Sequence, residues 1–119
     1  MSDSEQWEKV LTKLLEETKT GDISWSAVSR PNREDIVGFA YAASVKNKRL
    51  FVYEYRYRHY SDENEWEYQT DIAVELVSPD GTLEWRIPPS RARHQLLEAI
   101  REKTSGAEDF LVEYLEPMF

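Results

Sequence analysis

The feature that most restricts the fold is a series of alternating runs joined by connections too short for a crossover. Between Ile36 and Ile87 the chain reads IVGFAYAASV, RLFVYEYRYRHY, WEYQTDIAVELV and a short run carrying Leu83, Trp85 and Ile87. Apolar and polar residues alternate along these runs with the period of a strand. The connections are VKNKR, SDENE and SPDGT. In SPDGT, Ser78 to Thr82, Pro–Asp–Gly supplies a bend and a left-handed residue. In VKNKR the tip residue is Asn47, which tolerates a positive φ. Parallel neighbours need a connection of about a dozen residues or more, so these strands must be antiparallel. A shorter run, Ile23, Trp25 and Ala27 alternating with Ser24, Ser26 and Val28, precedes them across the turn RPNRED, Arg30 to Asp35.

Helical periodicity flanks this meander. Trp7, Val10, Leu11, Leu14 and Leu15 share one face of a helix predicted from Glu5 to Lys19 and ended by Gly21. Pro88 and Pro89 break the fifth strand, and Ser90 then caps a helix to Lys103 buried through Leu96, Leu97 and Ile100. After Gly106 a last helix, Glu108 to Glu116, carries Phe110, Leu111, Tyr114 and Leu115, and Pro117 stops it. Met118 and Phe119 beyond it can tuck into the core, fray or dock on another chain. The expected fold class is therefore α+β: an N-terminal helix, a five-stranded antiparallel meander sheet and two C-terminal helices in two-layer packing. Residues 1–119 form one domain, without linker, repeat or low-complexity tract.

Composition narrows the function. The chain has no cysteine, which removes disulfides and thiolate chemistry and fits a reducing, cytoplasmic setting. The start MSDSEQWEK has no signal-peptide pattern, and no apolar run approaches the roughly 20 residues that span a bilayer. The expectation is no membrane association. A formal net charge of −8 repels phosphate backbones at long range and permits a basic protein partner, although an acidic surface is most often only a solvated one.

Several stretches carry candidate chemistry. Along Arg49 to Tyr60, Phe51, Tyr53, Tyr55, Tyr57 and His59 point one way, while Leu50, Val52, Glu54, Arg56, Arg58 and Tyr60 point the other. A single-strand nucleic-acid platform needs rings and cations on one exposed face, and here they separate. The expected register sets Arg56 opposite Asp71 and Arg58 near Gln69 and Glu67, neutralising both within the sheet. The rings then line up with Phe39, Tyr41, Ile72 and Val74 in a structural, packing role, under the helices or facing solvent. VGFAYAAS, Val37 to Ser44, resembles the middle of an RNA-recognition octamer, but Val37 replaces its leading cation and the element order does not fit.

In SRARHQ, the residues Ser90, Arg91, Arg93 and His94 stand at a helix start, where free N–H groups favour an anion. Trp25, Arg58, Tyr60 and Trp85 are candidates for an exposed interaction surface, since Trp, Tyr and Arg dominate binding hot spots. Catalysis has little basis: His59 and His94 lack metal-ligand spacing, and no nucleophile elbow or phosphate-binding glycine loop occurs. A pair such as Glu54 with Glu75 could approach across the sheet as acid and base, but nothing distinguishes it from ordinary surface charge. No metal, cofactor or catalytic residue is expected.

KLLEETKTGDISW, Lys13 to Trp25, resembles the opening of small uncharacterised prokaryotic α+β proteins. In these a Leu-rich helix ends in a Thr-Lys-x-Gly turn and leads to a hydrophobic-x-Trp strand. PDGTLEWRI followed by a Leu-Leu helix and an acidic-aromatic helix is similar to their layout. The resemblance implies an accessory or interaction protein and transfers no catalytic residue. The expected function is a non-enzymatic protein-interaction domain, with a protein partner or self-association, in an immunity- or antitoxin-like role. The alternative is a small-molecule or anion binder using the sheet face or the Ser90 helix start, and the third is single-stranded nucleic-acid binding.

Overall fold

The computed structural model describes residues 3–30 and 33–116. In chain order these form α1 (Asp3–Thr20), β1 (Ser26–Val28), β2 (Ile36–Val45), β3 (Lys48–Tyr60), β4 (Trp66–Val77), β5 (Leu83–Arg86), α2 (Ala92–Ser105) and α3 (Ala107–Leu115). The five strands pair antiparallel with their chain neighbours, as the short connections require. The alternatives raised for Met118 and Phe119 fall outside the described residues.

Two backbone details differ from expectation. At the β2–β3 turn the positive φ, 54°, belongs to Lys46 rather than Asn47. In β2, Gly38 has a φ of 74° and lies where the pairing slips between Val37 and Tyr41. Glycine is needed here for a bulge, because other residues rarely adopt that backbone. The bulge turns Phe39 into solvent, 61% exposed, instead of into the packed face expected for it.

Helices α1 and α2 cover one face of the sheet. α1 crosses it from edge to edge: Trp7 stacks on Trp85 of β5 with centroids 6.4 Å apart, and Thr18 reaches Trp25 just before β1. Leu11 and Leu14 of α1 and Leu96, Leu97 and Ile100 of α2 pack on Tyr41, Leu50, Val52, Ile72 and Val74. The indole N–H of Trp25 donates to Thr18 Oγ1 at 2.9 Å, and that hydroxyl donates to the Leu14 carbonyl at 2.7 Å. The buried polar atoms are thus satisfied within the core, as burial demands.

The assignment of faces on β3 settles which way its rings point. Val52 pairs with Tyr41 and Val74, so Leu50, Val52 and Glu54 face the helices. Phe51, Tyr53 and Tyr55 lie on the opposite side with Ala40 and Ala73, in a second, smaller cluster. The first half of β3 is apolar on both faces, so alternation alone leaves the choice open. The register also differs by one: Arg56 pairs with Thr70 and Arg58 with Tyr68, while Asp71 faces Tyr55. Beyond the helices, Arg56–Tyr60 and Trp66–Thr70 continue as a two-stranded ribbon, exposed except at Gln69. The ribbon contributes to a molecule 60 Å long and 30 Å across its shortest axis.

Candidate functional site

Helix α3 is the clearest unpartnered element. It follows α2 after Gly106, whose φ of 76° ends one helix and redirects the chain into the next. None of its nine residues is buried. Phe110, Leu111, Val112, Tyr114 and Leu115 are 50–69% exposed, although each could bury 1.5–3 kcal/mol of apolar side chain, roughly, in a core. At 100° per residue, Phe110, Leu111, Tyr114 and Leu115 form one ridge, and the Phe110 and Tyr114 rings stack 5.6 Å apart. Glu108 and Glu113 flank that ridge on its two margins, with Asp109 and Glu116 behind; α3 has no basic residue.

The ribbon is a second exposed surface. In the ribbon, Arg56 and Arg58 lie on the face opposite Tyr55 and Tyr57, as expected, but Tyr60 and the rings of β4 share the arginine side. The Arg58 guanidinium lies 4.5 Å from the Trp66 ring and Arg56 lies 4.5 Å from Tyr68. Trp66 and Tyr68 meet edge-on at 4.9 Å, and Tyr60 pairs with Trp66 across the strands. Arg58 and Tyr60 therefore sit on an exposed aromatic–cation surface, next to the acidic tip Asp62, Glu63 and Glu65. Neither cross-strand carboxylate expected for the arginines pairs with them.

On the sheet face away from the helices, the β1–β2 connection brings arginines over Tyr53. Arg30 and Arg33 stand 5.5 and 5.2 Å from its ring, and Tyr53 is fully buried. The Tyr53 hydroxyl donates to Glu75 Oε2 at 2.7 Å, Arg86 Nη2 donates to the same oxygen at 2.9 Å, and Arg30 Nη1 reaches Oε1 at 3.4 Å. Burial pushes the Glu75 carboxyl up, but the Tyr53 hydrogen bond and the Arg86 and Arg30 charges outweigh it and hold it below the ordinary value. Burial, then the bond to Glu75, raises Tyr53. Arg33 grips Asp35 through two bonds of 2.9 and 3.0 Å, which holds that carboxyl low. Glu75 is thus a saturated anion that clasps strand, loop and edge together. Glu54 bonds Arg101 on the helix side, so the two carboxylates lie on opposite faces and form no acid–base pair.

The remaining candidates are dispersed. Ser90 Oγ accepts the Ala92 N–H at 3.2 Å, while Arg93 bonds the Ser90 carbonyl, the Ile72 carbonyl and Asp71. Arg93 is thereby committed to tying α2 to β4, leaving Arg91 and His94 exposed at the helix start. Trp25, expected on an exposed surface, is 8% exposed and belongs to the core. Trp85 is half-exposed, with one face on Trp7.

The α3 ridge and the roles of Arg30 and Arg33 were missed in the sequence. An amphipathic helix announces a stripe but not what covers it, and RPNRED reads as turn chemistry. The signal available for α3 was acid on both margins of its apolar stripe. Among the described residues, no group of His, Asp and Glu is placed to hold a metal, and no helix is long and apolar enough to cross a membrane. No family model, curated protein or solved structure matches the chain.

Proposed function

We propose that the chain is a non-enzymatic protein-interaction module that presents α3 to a partner protein. The observation that carries this reading is the α3 ridge: Phe110, Leu111, Tyr114 and Leu115 stand in solvent beside a core that buries other leucines fully. Amphipathic helices of this kind are recognised by seating the apolar stripe in a groove. Charge selects the occupant. Glu108 on one margin is already held by Lys103 at 3.2 Å, but Glu113 on the other margin, with Asp109 and Glu116 behind and a chain net charge of −8, favours a groove rimmed by Lys or Arg. A second copy of α3 would bring acid against acid, which disfavours self-pairing through this helix. A basic partner is also what an immunity- or antitoxin-like protein covers when it masks a nucleic-acid-degrading surface.

The test is photo-crosslinking in the native host from Leu111→benzoylphenylalanine, with Thr12→benzoylphenylalanine on the exposed side of α1 as control. The expected result is one adduct specific to position 111, whose crosslinked peptide lies in an apolar groove bordered by basic residues. Adducts only to another copy of this chain, or equal labelling from both positions, would overturn it.

A further inference from the structure

Beside the clasped Tyr53, the same sheet face holds an open hollow of about 420 Å³ whose lining includes Asp22, Ser24, Ser26, Ala42, Ser44 and Arg49. Ser26 pairs with Ala42 and Ser44 with Arg49, so their side chains share this face. Small side chains on β1 and β2 leave the hollow, and Arg49 stands at its side with its guanidinium 5.4 Å from the Phe51 ring. Arg30 lies over that same ring at 5.0 Å, but its charge is taken up by Glu75, so Arg49 is the cation this hollow offers.

Asp22, Ser24, Ser26, Ser44 and Arg49 are all exposed, and two features of this open surface favour an anion. Among the described residues, Arg49 has no carboxylate within ion-pair distance, although the chain carries 23 acidic residues against 15 basic ones. The hydroxyls of Ser24, Ser26 and Ser44 make no hydrogen bond to the described residues. Hydroxyl donors beside an unneutralised guanidinium are the groups that bind a carboxylate or a phosphate, with Arg supplying two parallel N–H bonds.

We propose that this hollow binds the oxyanion group of a small carboxylate or phosphate ligand, held by Arg49 and by the hydroxyls of Ser24, Ser26 and Ser44. Asp22, which accepts a bond from the Thr20 hydroxyl at 2.9 Å, limits the site to a low charge. A ligand with one anionic group and neutral hydroxyls fits better than a polyanion. The site is independent of α3, so either can fail without the other.

The test follows amide shifts by NMR in the full chain at low ionic strength, with inorganic phosphate and glycerate as separate probes. Saturable binding at millimolar concentration or tighter, centred on Ser24, Ser44 and Arg49, is the expected result. Arg49→Gln should weaken it about tenfold, and Arg49→Lys should retain part of it. Ser44→Ala, at an exposed position, is a second variant expected to weaken binding several-fold without touching the core. Binding of one probe alone assigns the ligand class and supports the site. Shifts that never saturate with either probe overturn the proposal. So do equal binding by Arg49→Gln and shifts centred on Arg91 and His94.

Discussion

At the scale of single residues, Glu75 and Tyr53 decide how the uncovered sheet face survives without a helix over it. Three arginines supply that cover with their aliphatic stems and ring-stacked heads, and one buried carboxylate organises two of them. Removing its charge in Glu75→Gln leaves Arg86 and Arg30 facing a neutral amide. With Arg86 half-exposed, a stability loss of about 2 kcal/mol is expected rather than the larger cost of a wholly buried pair. The carboxyl titrates below its ordinary value of 4.5 when folded. Its contribution is therefore complete above that value and is lost as pH falls through the depressed folded value. Urea unfolding from neutral to acid pH should show stability falling in wild type below about pH 4.5, with a shallower fall in Glu75→Gln. Parallel profiles would remove Glu75 from the account. The sequence showed Tyr53 as apolar packing and Glu75 as polar face. It could not show their bond, because contact required the two to share the face away from the helices.

At the scale of elements, the strands and helices were legible because period and turn chemistry agreed along the meander. SPDGT and VKNKR left no room for crossovers, and Pro88–Pro89 and Gly106 marked where strand and helix ended. Which face the helices took was not legible. Leu50 and Val52 compete with Phe51 and Tyr53 as equally apolar alternates, and pairing with Tyr41 and Val74 settles the matter. For helices, the same ambiguity separates α2 from α3, since both carry apolar stripes. The difference is energetic and can be measured. Leu96→Ala, at a fully buried α2 position, should cost about 3 kcal/mol. Leu111→Ala should cost less than about 0.5 kcal/mol, as surface substitutions do. Denaturant titrations with unchanged slopes check both values, and a large loss at Leu111 would mean that α3 packs within its own chain.

At the scale of the whole molecule, helices shield one sheet face, arginines roof part of the other, and the ribbon and α3 extend outward. Such a layout gives a stable centre with apolar surface that the centre does not need. On the proposed function, that surplus on α3 meets a partner with basic margins rather than a second copy of itself. Sedimentation velocity of the purified chain, alongside Leu111→Glu, tests this most directly. Both are expected to sediment as monomers of equal, elongated shape at tens of micromolar. A concentration-dependent wild-type dimer that Leu111→Glu dissolves would contradict it, placing a second copy on the α3 ridge.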